Sequence, residues 1–355
     1  MDKKLVIHIG LRKAGSTTIQ QFLNVNAADL KALGCDYPRV GRRARASHLN
    51  IAADVRQLKE FDPFYGGVNE LKSYIDKQTT HLTIVSSEVF ESASRESAEH
   101  LRDVLQPGFG ESTIVLIIRD PTGLLPSSYA ESVVSGRKTM EFDAFFDQII
   151  DTRRLQYFLT AKRWALVWGW KSINVRLLDR NHMLNGDLID DFMAAIGIDI
   201  SDVRYRALRR VNSANVSPGW KVIEALRALY GAGHGLPSSH PLVLSPRNLS
   251  DIRTIRSCSQ DVGDLLGWSE ERGVYLTRAQ AERCAEVFTE TLEELNGRVP
   301  ARIPMPKSLD VSAFRGRDFL PDVAMIDPAE LRTFYDELGA RYSESRAKAM
   351  EESAS

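Results

Sequence analysis

Two stretches of this chain gather the residue types that hold a phosphate. In the first, Gly10 and Gly15 bracket Leu11-Arg12-Lys13-Ala14, and Ser16, Thr17 and Thr18 follow directly. Glycine-bracketed turns let the backbone approach an anion closely, and a helix opening on hydroxyl residues offers unpaired N–H groups and the positive end of its dipole. Lys13 adds a cation from within the turn. In the second stretch, Arg119-Asp120-Pro121 leads to Ser127-Ser128-Tyr129. Arg119 presents a planar fork of donors suited to phosphate oxygens, with the Ser127 hydroxyl one or two helical turns further on. Taken singly, Lys13 also reads as a solvated loop lysine and Arg119 as a surface ion-pair partner.

The elements that must position these groups follow from periodicity. Leu5, Val6, Ile7 and Ile9 form a short apolar run of the kind that is buried on both faces of a parallel sheet. Ile19, Phe22, Leu23, Leu30 and Leu33 recur at helical spacing after the turn, and Gly34 marks a stop. Further strands are predicted at 35–37, 82–87, 113–118 and 173–178. Helices are predicted at 49–58, 69–78, 95–105, 124–135, 141–152, 158–168 and 187–196. Alternating strands and helices predict an α/β fold with a central parallel sheet flanked by helices. Beyond about residue 201 the strand signal fades. There, apolar faces predict helices around 222–230 and 281–295, with a Gly/Pro/Ser/His-rich loop at 231–246 between them. A last helix is predicted at 330–342. The expected organisation is a core at 1–200, a mostly helical part at 201–342 and a fraying tail at 343–355.

The turn differs from the G-x-x-x-x-G-K-[ST] loop of nucleoside-triphosphate enzymes in that Ser16, not lysine, follows Gly15. It resembles instead the sulfotransferases that use 3′-phosphoadenosine 5′-phosphosulfate (PAPS), bacterial and carbohydrate-directed ones in particular. Their 5′-phosphosulfate loop reads G-L-P-K-[TS]-G-[TS]-[TS]-[TS], against Gly10-Leu11-Arg12-Lys13-Ala14-Gly15-Ser16-Thr17-Thr18 here. Their 3′-phosphate motif reads R-[DN]-P-x-x-R-x-x-S-x-Y, matched by Arg119, Pro121, Ser127 and Tyr129, with Leu124 in place of the second arginine. The resemblance covers roughly the first 200 residues. It implies a P-loop-like fold, PAPS as sulfuryl donor, no metal, and an acceptor hydroxyl or amine, as on a saccharide. Arg12 to Thr18, Arg119 and Ser127 would then bind the donor, and Lys13 would meet the charge growing on the leaving phosphate.

An acceptor needs a base. Glu88, at the end of the 82–87 strand, matches the place of an acid in glycan sulfotransferases; it also reads as a carboxylate complementing a helix dipole. His48 is the alternative base, or a structural histidine. His8, inside the first strand, reads as a core or sheet-edge residue. Arg42, Arg43 and Arg45 read as a site for an acidic saccharide or as a solvated face. Trp164, Trp168 and Trp170 suit core packing better than sugar stacking. For a loop closing over the nucleotide, 246–248 and 210–215 are the candidates.

Composition narrows the classes. The 355 residues are 43% hydrophobic and 26% charged, with a formal charge of −1. Such a balance argues for a globular fold and against nucleic-acid binding. Cys35, Cys258 and Cys284 are too few and scattered for a disulfide framework or a zinc site. No signal-peptide core or membrane-length apolar run is present, so a cytoplasmic location is expected. Two other readings stay open: a P-loop kinase with Asp120 as magnesium ligand, and a non-catalytic binding protein that kept the fold.

Overall fold

The apolar run after the N-terminus becomes the middle strand of a parallel sheet. In the computed structural model, which describes residues 3–43, 46–152, 155–210, 218–231, 234–245 and 248–354, β1 spans Lys4–His8, β2 Cys35–Asp36, β3 Leu82–Ser86, β4 Glu111–Ile118 and β5 Ile173–Leu177. Their order is β2-β3-β1-β4-β5, all pairs parallel. His8 at the end of β1 is in register with Ser86 on one side and Val115 on the other. Leu5, Val6, Ile7 and all residues from Ile114 to Ile118 are wholly buried. Each such side chain contributes about 1.5–3 kcal/mol by leaving water, which explains why these runs read as continuous rather than alternating.

The chain divides into two compact units. The first comprises 1–121, 151–214 and 284–310, and the second 122–150, 215–283 and 311–355. The units therefore interleave along the chain, whereas the sequence reading separates a first part from a second near residue 200. The first unit holds the sheet with its flanking helices, among them Ser16–Val25, Arg95–Leu105, Tyr157–Trp168 and Leu188–Ala195. Trp164 is buried there against Phe90, edge to face at 5.9 Å, so it packs the core.

Helices make up most of the second unit. Tyr129, Phe142, Phe145 and Tyr275 form an aromatic cluster in it, which gives the tyrosine of the Arg119-to-Tyr129 motif a packing role. Beside them the buried Glu224 carboxylate accepts from Tyr129, Tyr275 and Arg227. A helix absent from the sequence reading, Leu249–Leu265, is capped by Asn248 Oδ1, which accepts from the Ser250 and Asp251 amides. The last helix runs Pro328–Ala354. The segment expected to fray is helical, because Ala, Arg, Lys, Met and Glu dominate it and are all strong helix formers.

Candidate functional site

Three of the sequence candidates leave the C-terminal ends of three adjacent strands. The turn 9–15 follows β1, Glu88 follows β3 and Arg119 follows β4. In open parallel sheets, ligands bind outside the carboxyl ends of the strands, where neighbouring connections depart to opposite sides; β1, flanked by β3 and β4, stands at such a point.

The turn owes its shape to two left-handed residues. Lys13 has φ +65° and Gly15 φ +80°. A side chain at Gly15 would push on Leu188 Cδ2 and would be strained at this φ, so glycine is favoured there. Ala14 is buried and its amide donates to Leu11 O at 3.3 Å; the hydroxyl residue of the family pattern is replaced by one that packs inward. Ser16 Oγ donates to the same carbonyl at 3.2 Å. Gly15 caps the helix Ser16–Val25 without a side-chain bond, and the first helical turn holds no acid. No side chain caps the helix start and no acid offsets its dipole, which suits an anion.

Arg119 reaches this turn. Its Nη1 donates to Lys13 O at 3.2 Å, and its own carbonyl accepts from Tyr157 Oη at 2.7 Å. Burial pulls the guanidinium pKa down, opposed by Asp120 and Tyr157, yet arginine stays charged throughout the accessible range. Arg12 is exposed, Lys13, Thr17 and Thr18 are half-buried, and Ser16 is buried.

Glu88 opens a 3-10 turn, Glu88–Ser92, capped by Ser87 Oγ, which accepts from Val89 N. Two arginines hold this turn by its carbonyls: Arg56 Nη1 donates to Val89 O at 3.2 Å and Arg163 Nη2 to Glu91 O at 2.8 Å. The half-buried Glu88 is therefore carried on a braced backbone. Glu91 is the residue sequence reasoning missed. Its Oε2 accepts from the Arg12 amide at 3.3 Å, joining the acid-bearing turn to the phosphate turn. The available signal was the i, i+3 spacing of Glu88 and Glu91, which eclipses side chains on a 3-10 turn.

His48 is wholly buried with both ring nitrogens engaged. Nε2 donates to Pro38 O at 3.0 Å, and Nδ1 accepts from Ser86 N at 3.1 Å. Its amide also donates to Ser86 O at 2.8 Å. The residue thus completes the pairing of β3 beyond the two-residue β2, and Tyr37 packs edge-on at 4.8 Å. Burial holds the ring neutral, with a pKa lowered to about 3. His8, also buried, is lowered to about 3 for the same reason.

The arginine cluster is occupied. Arg42 donates to Asn24 Oδ1 at 2.6 Å and lies over the Tyr37 ring. Arg43 bonds Asn50 and the Glu60 carbonyl and covers Tyr65. Arg45, the pair 246–247 and residues 211–215 lie outside the described residues. Ser127 is half-buried on the helix Pro121–Val134, within the second unit. Among the described residues, no group of three or more His, Cys, Asp and Glu is placed to hold a metal ion. Nor is any helix there long and apolar enough to cross a membrane.

No family model matches the chain. An uncharacterized protein of Archaeoglobus fulgidus is 30% identical over 166 residues, 41% of this chain and 43% of that protein, so the match spans less than half of either. Among solved structures, a sulfotransferase from Alicyclobacillus acidocaldarius aligns over 71% of this chain and 99% of its own, with 15% identity and a TM-score of 0.38.

Proposed function

We propose that this chain is a PAPS-dependent sulfotransferase that passes a sulfuryl group to an acceptor hydroxyl, a saccharide hydroxyl by resemblance of motif. The observation carrying the reading is the hydrogen bond from Arg119 Nη1 to Lys13 O, which brings the two phosphate motifs of the sequence to one place above β1 and β4. The residues present fit the donor: a helix start at Ser16 with no side-chain cap, no acid in the first helical turn, and glycines where a Cβ would collide.

PAPS, when bound, supplies an activated sulfuryl group on a phosphate leaving group. The amides and hydroxyls of Ser16, Thr17 and Thr18 hold the 5′-phosphate, Arg12 adds charge at the rim, and Arg119 braces the turn while its remaining donors serve a second phosphate. Lys13 places its ammonium where negative charge grows on the bridging oxygen as the S–O bond breaks, a gain realised only in the transition state. Glu88 takes the proton of the attacking hydroxyl, which general-base catalysis makes worth about 10²–10⁴-fold. His48 is not given this role, since both of its nitrogens are spent on backbone groups.

The test is binding and turnover with magnesium omitted. The expected result is tight binding of 3′-phosphoadenosine 5′-phosphate (PAP) and transfer of labelled sulfate from PAPS to a member of a saccharide panel. Magnesium-dependent binding of ATP in preference to PAP would overturn the reading in favour of a phosphotransferase.

A further inference from the structure

Beneath the phosphate turn runs a buried polar chain that stops at an unbonded atom. Gln20 Nε2 donates to Ser86 Oγ at 3.2 Å, and Ser86 Oγ stands 2.8 Å from Nδ1 of His8. The Ser86 hydroxyl accepts from Gln20, and we take its own proton to go to Nδ1, the arrangement that puts the ring proton on Nε2. Phe192 packs against the ring at 5.2 Å, and the side chain is closed to solvent. His8 Nε2 is buried and has no partner. Orphaned buried donors are rare enough that each calls for a use.

The orphan faces the turn. A Cβ on Gly10 would stand 3.2 Å from both Cε1 and Nε2 of His8 and would overlap Ser16 Oγ. Only a glycine leaves the ring edge and the serine hydroxyl converging on one spot. Ser16 is itself buried, and its proton points to Leu11 O. It is also the first residue of a helix that has no side-chain cap.

We propose that His8 is a positioning residue for anion binding, acting through Ser16. When an anion settles on the first helical turn, the Ser16 side chain turns from Leu11 O to give its proton to the anion, which brings Oγ within reach of His8 Nε2–H as an acceptor. No covalent bond changes; the Ser16 side chain shifts, its bond to Leu11 O is exchanged for one to the anion, and one new hydrogen bond forms from His8. The chain Gln20–Ser86–His8–Ser16 then runs unbroken to the ligand, each bond polarising the next. This inference rests on reading the turn as an anion site, though not on the identity of the nucleotide.

The test follows the Nε2–H resonance of His8 in the ¹⁵N-histidine-labelled full chain during separate titrations with PAP and with inorganic phosphate. The expected result is a ligand-dependent shift of that resonance, lost in Ser16→Ala. His8→Leu is expected to weaken PAP binding about three- to tenfold, as for the loss of one hydrogen bond, and less than that in a Ser16→Ala background. The spectrum of the unaltered chain decides the matter even if His8→Leu fails to fold. A shift with phosphate but no binding of PAP supports the role of His8 while removing the proposed donor. Binding of PAP with the His8 resonance unmoved overturns the inference and leaves the donor standing. An unmoved resonance with neither ligand bound overturns both.

Discussion

Lys13 is held in the left-handed region at φ +65°, and its carbonyl takes the Nη1 hydrogen of Arg119 at 3.2 Å. The guanidinium grips the backbone of the lysine and fixes its peptide. A residue other than glycine in that region costs of order 1 kcal/mol, a strain this turn maintains at the cation assigned to the leaving group.

Lys13→Gly separates charge from conformation. Glycine adopts this φ without strain, so the thermal midpoint is expected to hold or rise slightly. Turnover from PAPS is expected to fall about 10²–10³-fold, as for loss of one transition-state charge partner. Steady-state assays beside calorimetry check both; retained turnover would remove Lys13 from the chemistry.

For Glu88→Gln, kcat is expected to drop by about 10²-fold or more while PAP affinity stays within twofold, since the carboxylate serves the acceptor and not the donor. Glu91→Ala is expected to act differently, raising the apparent KM for PAPS by loosening the Arg12 amide. Initial-rate measurements over both substrates distinguish the two patterns.

Acid is expected to destabilise the fold through His8 and His48. Both are lowered to about 3 in the folded chain by burial, against about 6.5 when unfolded. The unfolded state therefore binds more protons below pH 6.5. The stability is fully present above that value and is withdrawn as pH falls towards 3, at about 1.4 kcal/mol per pH unit for each ring. Urea melts at pH 7.5 and 5.5 measure the slope, and in His48→Asn it is expected to be roughly halved. A flat profile would contradict the burial of both rings.

In the second unit, Glu224→Ala is expected to cost about 3–5 kcal/mol, because it leaves Arg227 and two tyrosine hydroxyls without their shared acceptor. Glu224→Gln keeps an acceptor and is expected to cost less. Midpoints of chemical denaturation report the difference.

How far the sequence reached depended on the kind of signal. The helix Arg95–Leu105 matches its expected span because Ser94 caps it and Gln106-Pro107-Gly108 ends it. The runs of β3 and β4 were equally legible, since strands covered on both faces show as near-continuous apolar segments, and β5 showed as an alternation of buried Ile173, Val175 and Leu177 with half-buried Asn174 and Arg176. The helix Leu249–Leu265 escaped because serine, aspartate and arginine fill the spaces between its apolar residues. The tail misled by its polarity, which reads as disorder although its residues favour helix. At the site, the phosphate turn and Arg119 were visible as local patterns. The contact that Glu91 makes was not, because its partner lies 79 residues away in sequence, nor could local pattern distinguish a base at His48 from a residue finishing a sheet edge.

The alternation of the two units has a practical consequence for anyone dissecting the protein. The backbone crosses from one to the other near residues 121, 150, 214, 283 and 310, so no contiguous fragment consists of either unit alone. Deleting a terminus strips pieces from a body whose other pieces remain, and a truncated product is expected to be insoluble rather than simplified. Dissection by point substitution, or by fusing distant segments through new linkers, is the route such connectivity leaves open.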